Sequence, residues 1–152
     1  MRAIDLIVIH CSATREDRAF TEQALEASHR LQGFDGTGYH FYVRRDGRVL
    51  TTRPVSRVGA HVRGYNAHSI GICYEGGLDR YGNPKDTRTE WQRHSLRVLV
   101  RALLQDYPGS WVVGHRELSP DLNGNGEIEP EEWIKACPCF EVKESDFFSG
   151  QE

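Results

Sequence analysis

Hydrophobic positions along the chain fall in short blocks whose period alternates between that of a strand and that of a helix. Ile4 to Ile9 is almost continuously aliphatic and β-branched between polar neighbours, which predicts a strand buried on both faces. From Phe20 to Leu31 the positions Phe20, Ala24, Leu25, Ala27, Ser28 and Leu31 recur at helical spacing. Thr21 and Glu22 supply an acidic first turn, and Gly33 a stop. Tyr39 to Val43 and Arg48 to Thr52 flank Arg45-Asp46-Gly47 and predict a hairpin. Ser69 to Tyr74 reads as another strand, followed by a polar surface loop from Gly76 to Arg88. Thr89 can cap a helix whose first turn holds Glu90 and whose apolar face runs through Trp91, Leu96, Val98, Leu99, Ala102 and Leu103, until Pro108 and Gly109 end it. Trp111 to Gly114 returns as a strand. This alternation predicts an α/β fold: a single domain with a mixed central β-sheet flanked by helices.

Composition narrows the class. A chain of 152 residues with 38% hydrophobic content suits one core. The net charge of -3 is spread over mixed signs with no basic stripe, so nucleic acid is not an expected partner. No apolar run approaches the ~20 residues that span a bilayer, and the N-terminal apolar stretch is too short for a signal peptide. The expectation is synthesis in the cytoplasm and no membrane partner, with a monomer as the default. Four cysteines in such a chain favour thiols or metal ligands over disulfides, and Cys11 and Cys73, within strand-like runs, are expected to be buried free thiols.

His10 and His115 each end an apolar run, Ile-Val-Ile-His and Trp-Val-Val-Gly-His, and Cys137 follows in Lys-Ala-Cys-Pro-Cys-Phe. If the two runs are neighbouring strands, two imidazoles and a thiolate converge at one sheet edge. Three protein donors leave a fourth position for water, which distinguishes a catalytic zinc site from a closed structural one. Spacing alone leaves open the alternative that each histidine is a hydrogen-bonded edge residue. A structural zinc site would need Cys139 as fourth ligand, and Cys-x-Cys places its sulfurs awkwardly for one tetrahedron.

Five motifs in order carry a wider resemblance: Ile-Val-Ile-His-Cys-Ser-Ala-Thr, Gly-Tyr-His-Phe-Tyr-Val-Arg-Arg-Asp-Gly, Val-Gly-Ala-His-Val-Arg-Gly-Tyr-Asn-Ala-His-Ser-Ile-Gly-Ile, Val-Val-Gly-His-Arg-Glu and Lys-Ala-Cys-Pro-Cys-Phe. Together the chain resembles the zinc-dependent N-acetylmuramoyl-L-alanine amidases, the family that also holds the peptidoglycan recognition proteins, and within it the short phage-lysozyme branch. The resemblance implies that His10, His115 and Cys137 bind zinc and that Tyr39 and Lys135 are catalytic. It further implies that His61 and Asn66 line the substrate groove. The implied reaction is hydrolysis of the amide between N-acetylmuramic acid and L-alanine in peptidoglycan. The implied place of action is the cell wall, after release or export. The alternative within the family is a non-catalytic peptidoglycan-binding module. Some family branches carry a glutamate where this chain has Cys73, so the general base is displaced. Glu75, two residues on and so on the same face of the strand, is the substitute to test. His40, which alternates away from Tyr39, and His29, His68 and His94 receive no role.

The catalytic domain is expected over residues 1–142, with an insertion at 119–134 and an acidic tail at 143–152. The insertion resembles a twelve-residue EF-hand loop. Asp121, Asn123 and Asn125 fall at positions one, three and five, Gly126 at the turn, the Glu127 carbonyl at seven and Glu132 at twelve, so calcium is a second expected cofactor. A polar loop rich in Asx turns, with Pro130 starting a helix, is the competing reading.

Overall fold

Strand β1 (Leu6–Cys11) forms the centre of the main sheet, and all six of its residues are buried. It pairs in parallel with β5 (Ser69–Tyr74) on one side and β7 (Trp111–Gly114) on the other. A strand covered on both faces has no solvent side on which to place polar residues, hence its unbroken aliphatic run. Beyond β5 lie β3 (Phe41–Val43), in parallel, and then β4 (Val49–Thr51), which closes the predicted hairpin in the antiparallel sense. The sheet order is β4-β3-β5-β1-β7, and β2 (Thr14–Arg15) with β6 (Gly77–Leu78) forms a small separate pair. The computed structural model describes residues 2–120, 122–125, 128, 130, 133, 136–143 and 147.

Helix α2 (Glu90–Asp106) starts on a reciprocal cap: the Gln92 N–H donates to Thr89 Oγ1 at 3.1 Å and the Thr89 N–H to Gln92 Oε1 at 2.9 Å. Its buried face is Gln92, Leu96, Val100 and Leu103, so the helix is rotated from the face predicted by periodicity, and Trp91 and Val98 are exposed. The cause is Gln92, whose side-chain amide donates to the carbonyls of Glu75 (2.9 Å) and Val43 (3.3 Å) and is therefore buried at no unpaired polar cost. Leu96, Val100 and Leu103 pack with Ile7, Ile9, Ile70, Ile72 and Tyr74 to form the larger core.

Helix α1 (Glu22–Leu31) belongs to a separate cluster, with Leu25 packed beside Tyr42 and Cys73 and with Tyr39 against that group. Thr21 caps it by accepting from the Ala24 N–H. Leu31, assigned to the apolar face by spacing, is exposed, whereas His29, given no role, is buried and accepts from the Gly38 N–H through Nδ1 at 2.8 Å. Cys11 and Cys73 are buried free thiols, as expected. No helix among the described residues is long and apolar enough to cross a membrane.

Candidate metal centre

Because β1, β5 and β7 run in parallel, their carboxyl ends share one edge, the usual location of sites in such sheets. His10 is the penultimate residue of β1, in register with Cys73 of β5. His115 directly follows β7, and Ile9 is in register with Gly114, so the two histidines emerge side by side with ring centroids 4.7 Å apart. The sequence reading of neighbouring strands is met.

Cys137 arrives on a loop that several contacts tie to this edge. The Arg116 N–H donates to the Cys137 carbonyl at 2.9 Å, and the Tyr74 hydroxyl donates to the Pro138 carbonyl at 2.6 Å. Pro138, which follows a cis peptide bond, lies so close to β7 that a Cβ on Gly114 would stand 2.7 Å from its Cδ. The glycine before His115 therefore makes room for the loop that carries the third donor. The Cys11 N–H donates to Cys137 Sγ at 3.1 Å, an arrangement suited to a thiolate.

The ligand atoms of His10, His115 and Cys137 all lie within 4.8 Å of one another. A tetrahedral zinc ion with donors at about 2.0–2.3 Å needs a triangle of this scale, and two imidazoles with one thiolate are donors it accepts. His115 and Cys137 of this group line a cleft of about 270 Å³ whose walls include Tyr39, His61, His29 and Phe34. No carboxylate is among the described residues that line it.

Tyr39 lies outside β3, and its ring stacks near His10 (4.8 Å between centroids) and His29 (5.3 Å). Burial, with the Cys73 thiol beside its hydroxyl, holds its pKa well above the ordinary tyrosine value. It is thus a neutral O–H donor at the cleft wall.

His61, expected from the resemblance to line the substrate groove, lies in the wall of this cleft, and its ring nitrogens are engaged inward. His10 Nε2 stands 2.9 Å from His61 Nδ1, and His61 Nε2 stands 3.1 Å from Ser69 Oγ. The ring lies over Gly71, where a Cβ would stand 2.7 Å from it. Burial lowers its pKa to about 3, so the ring is neutral. Asn66 Oδ1 accepts from the N–H groups of His61 and Val62, each at 2.9 Å, and so shapes the turn that presents His61.

Glu75 does not line this cleft. It is 1% exposed, and its carboxylate accepts from Arg44 Nε (2.7 Å), the Arg45 N–H (3.0 Å) and the Phe20 N–H (2.6 Å). Alternation from Cys73 was the basis for choosing it. The arginine that captures it comes from beyond β3, which no local pattern announces. His40, given no role, is a buried structural residue: its Nδ1 accepts from the Gly71 N–H at 3.0 Å and its Nε2 lies 2.8 Å from the Arg57 carbonyl.

Lys135, and Asp121, Glu127 and Glu132 of the calcium-like loop, lie outside the described residues. Asn123 and Asn125 are described, and there the Asn125 N–H donates to Asn123 Oδ1 at 3.1 Å. The residues that sequence reasoning missed are Gly71, Ser69 and the backbone N–H of Cys11. Gly71 did leave a signal, since a glycine inside a strand often marks the close approach of another group.

A family model described as N-acetylmuramoyl-L-alanine amidase matches residues 1–138. An endolysin of Escherichia phage T7 is 37% identical over 139 residues, covering 91% of this chain and 83% of its own. An endolysin of Klebsiella phage KP32 is 37% identical over 137 residues, covering 90% and 82%. Among solved structures, the N-acetylmuramoyl-L-alanine amidase LysC from Clostridium intestinale aligns with a TM-score of 0.74 at 27% identity, covering 96% of this chain and 83% of that one.

Proposed function

The chain belongs to the N-acetylmuramoyl-L-alanine amidase family, and from that premise we propose that it cuts the amide between the lactyl group of N-acetylmuramic acid and L-alanine with a zinc ion held by His10, His115 and Cys137. The observation that carries this reading is the convergence of those three donors, two of which, His115 and Cys137, line a cleft together with Tyr39 and His61. When bound there, zinc supplies Lewis acidity toward the amide carbonyl and lowers the pKa of water.

The residues of the chain divide the remaining work. Tyr39, kept protonated by burial, donates its hydroxyl hydrogen to the carbonyl oxygen as negative charge develops on it. His61 and Ser69 fix the ring of His10, and the Cys11 N–H steadies the Cys137 sulfur. His29 and Phe34 wall the cleft on the α1 side. No carboxylate is among the described lining residues, and Glu75 is held instead by Arg44, so Glu75 is given no proton-transfer role. Lys135 is proposed as a cationic partner of the developing oxyanion, on the strength of its place two residues before Cys137. Calcium binding by residues 121–132 is proposed on sequence spacing alone. Titration of calcium into metal-stripped protein tests it, and absence of heat and of any gain in melting temperature removes it.

The substrate reading places the action at the cell wall. Retention of Cys137, which a pure binding module does not need, favours catalysis over recognition alone. The decisive experiment is mass spectrometry of peptidoglycan digested with zinc-loaded and chelator-stripped protein. Free stem peptides released only with zinc are expected; cleaved glycan, or no product, overturns the reading.

A further inference from the structure

Three of the four cysteines crowd together at the end of β1, and only one of them is needed for the metal triangle. Cys11 Sγ and Cys139 Sγ lie 3.9 Å apart, while Cys137 is turned to His10 and His115. We propose that Cys11 and Cys139 are a disulfide-forming pair, closed by exchange with a small-molecule disulfide such as oxidised glutathione and left open as thiols in a reducing compartment.

The fold holds both sulfurs for this purpose. Cys11 is 4% exposed, and its sulfur rests against Gly77, where a Cβ would stand 2.5 Å from it; the glycine is what gives this sulfur its place. Cys139 is half-buried, sits in the left-handed region at φ 69°, and donates its N–H to the Ala136 carbonyl at 2.8 Å. Closing the bond brings the two sulfurs from 3.9 Å to the ~2.05 Å of a disulfide. The more accessible partner is Cys139, so it meets the oxidant first.

In the first step the Cys139 thiolate attacks one sulfur of the glutathione disulfide, whose S–S bond breaks and releases one glutathione thiolate. Cys11, deprotonated, then attacks Cys139 Sγ, forming the intramolecular bond and releasing the second glutathione. The two cysteines are oxidised by two electrons, the glutathione disulfide is reduced to two thiols, and the two cysteine protons end on the departing thiolates. Cys137 takes no part, since its sulfur is committed to the metal triangle and to the Cys11 N–H.

The product is a strap between β1, which carries His10, and the loop that carries Cys137. The expectation of thiols or metal ligands from cysteine usage holds in a reducing compartment; the strap forms in an oxidising one. The pair rests on sulfur geometry and stands or falls independently of the amidase reading.

The test is oxidation of the zinc-loaded full-length protein with oxidised glutathione, followed by intact-mass and peptide analysis without reductant. The expected result is loss of two hydrogens and a cross-link between the peptide holding Cys11 and the peptide holding Cys139. Fragment ions split at Pro138 should assign the bond to Cys139 and leave Cys137 open to alkylation once the metal is removed. The oxidised form should melt several degrees above the reduced form, and Cys139→Ser should lose both the cross-link and the shift. An unchanged mass, a stable glutathione adduct, or a bond mapped to Cys137 overturns the proposal.

Discussion

His10 Nε2 and His61 Nδ1 lie 2.9 Å apart, so one of the three candidate metal ligands is oriented by a second imidazole that is itself anchored on Ser69. This contact fixes the tilt of the His10 ring. Partners of ligating histidines typically contribute 10–100-fold in metal affinity. His61→Ala is therefore expected to weaken zinc binding by about that factor, measured by competition with a chromogenic chelator. An unchanged dissociation constant would remove the orienting role.

Tyr39 packs on His10 with ring centroids 4.8 Å apart, and the proposed mechanism gives its hydroxyl the role of oxyanion donor. Loss of an oxyanion donor costs about 10²–10³ in kcat, and Tyr39→Phe should show a loss of that order while its zinc affinity stays at the parent value. Because the ring is retained, packing against His10 and His29 is preserved. A Phe variant with parental turnover on purified peptidoglycan would exclude the hydroxyl from catalysis.

The buried pair of Glu75 and Arg44 predicts the converse behaviour. Glu75→Gln leaves Arg44 short of its buried counter-charge, although Glu22 still pairs with it at 2.9 Å. A loss of roughly 2–3 kcal/mol in unfolding free energy is expected, toward the low end for breaking a buried pair. Activity per folded molecule should be unchanged at temperatures well below the melting point. A variant as stable as the parent but inactive would restore the carboxylate to the mechanism.

His40 gives the fold an acid limit. Burial lowers its pKa to about 4, with the neighbouring Arg2 and Arg53 charges acting in the same direction, and protonation would cost the bond that Nδ1 accepts from Gly71. The folded state thus takes up a proton at lower pH than the unfolded chain, whose histidine titrates near 6.5. Stability from this residue is complete above pH ~6.5 and declines as pH falls toward 4. The loss is about 2 kcal/mol once partial solvent screening is allowed for. His40→Asn retains an acceptor for the Gly71 N–H but cannot titrate. Denaturant melts of both proteins across this range should show a shallower acid decline in the variant, and parallel curves would refute the assignment.

Local pattern was sufficient where a feature depends on one stretch of chain. The aliphatic run of β1, the Thr89 cap of α2 and the two strand-end histidines were all legible, because a buried strand and a helix start write their requirements into adjacent residues. The buried face of α2 was misread because Gln92 is apolar in placement but polar in kind, and only the strand carbonyls above it explain its burial. The bonds that Asn66 Oδ1 accepts from His61 and Val62 are not legible in the motif, which does not say whether a side chain faces outward or back into its own loop. The His10–His61 contact spans 51 residues of sequence, and no periodicity encodes it.

The three donor residues stand at positions 10, 115 and 137, one near the start of the chain and two beyond the last strand of the sheet. Their triangle exists only after β7 has paired with β1 and the Cys137 loop has settled on Gly114, contacts that lie among the most distant in sequence and hence among the slowest to form. A nascent or partly folded chain offers the metal only scattered single ligands. The donor triangle is therefore a late product of folding, and a metal that needs all three residues at once can bind only a chain whose sheet is complete.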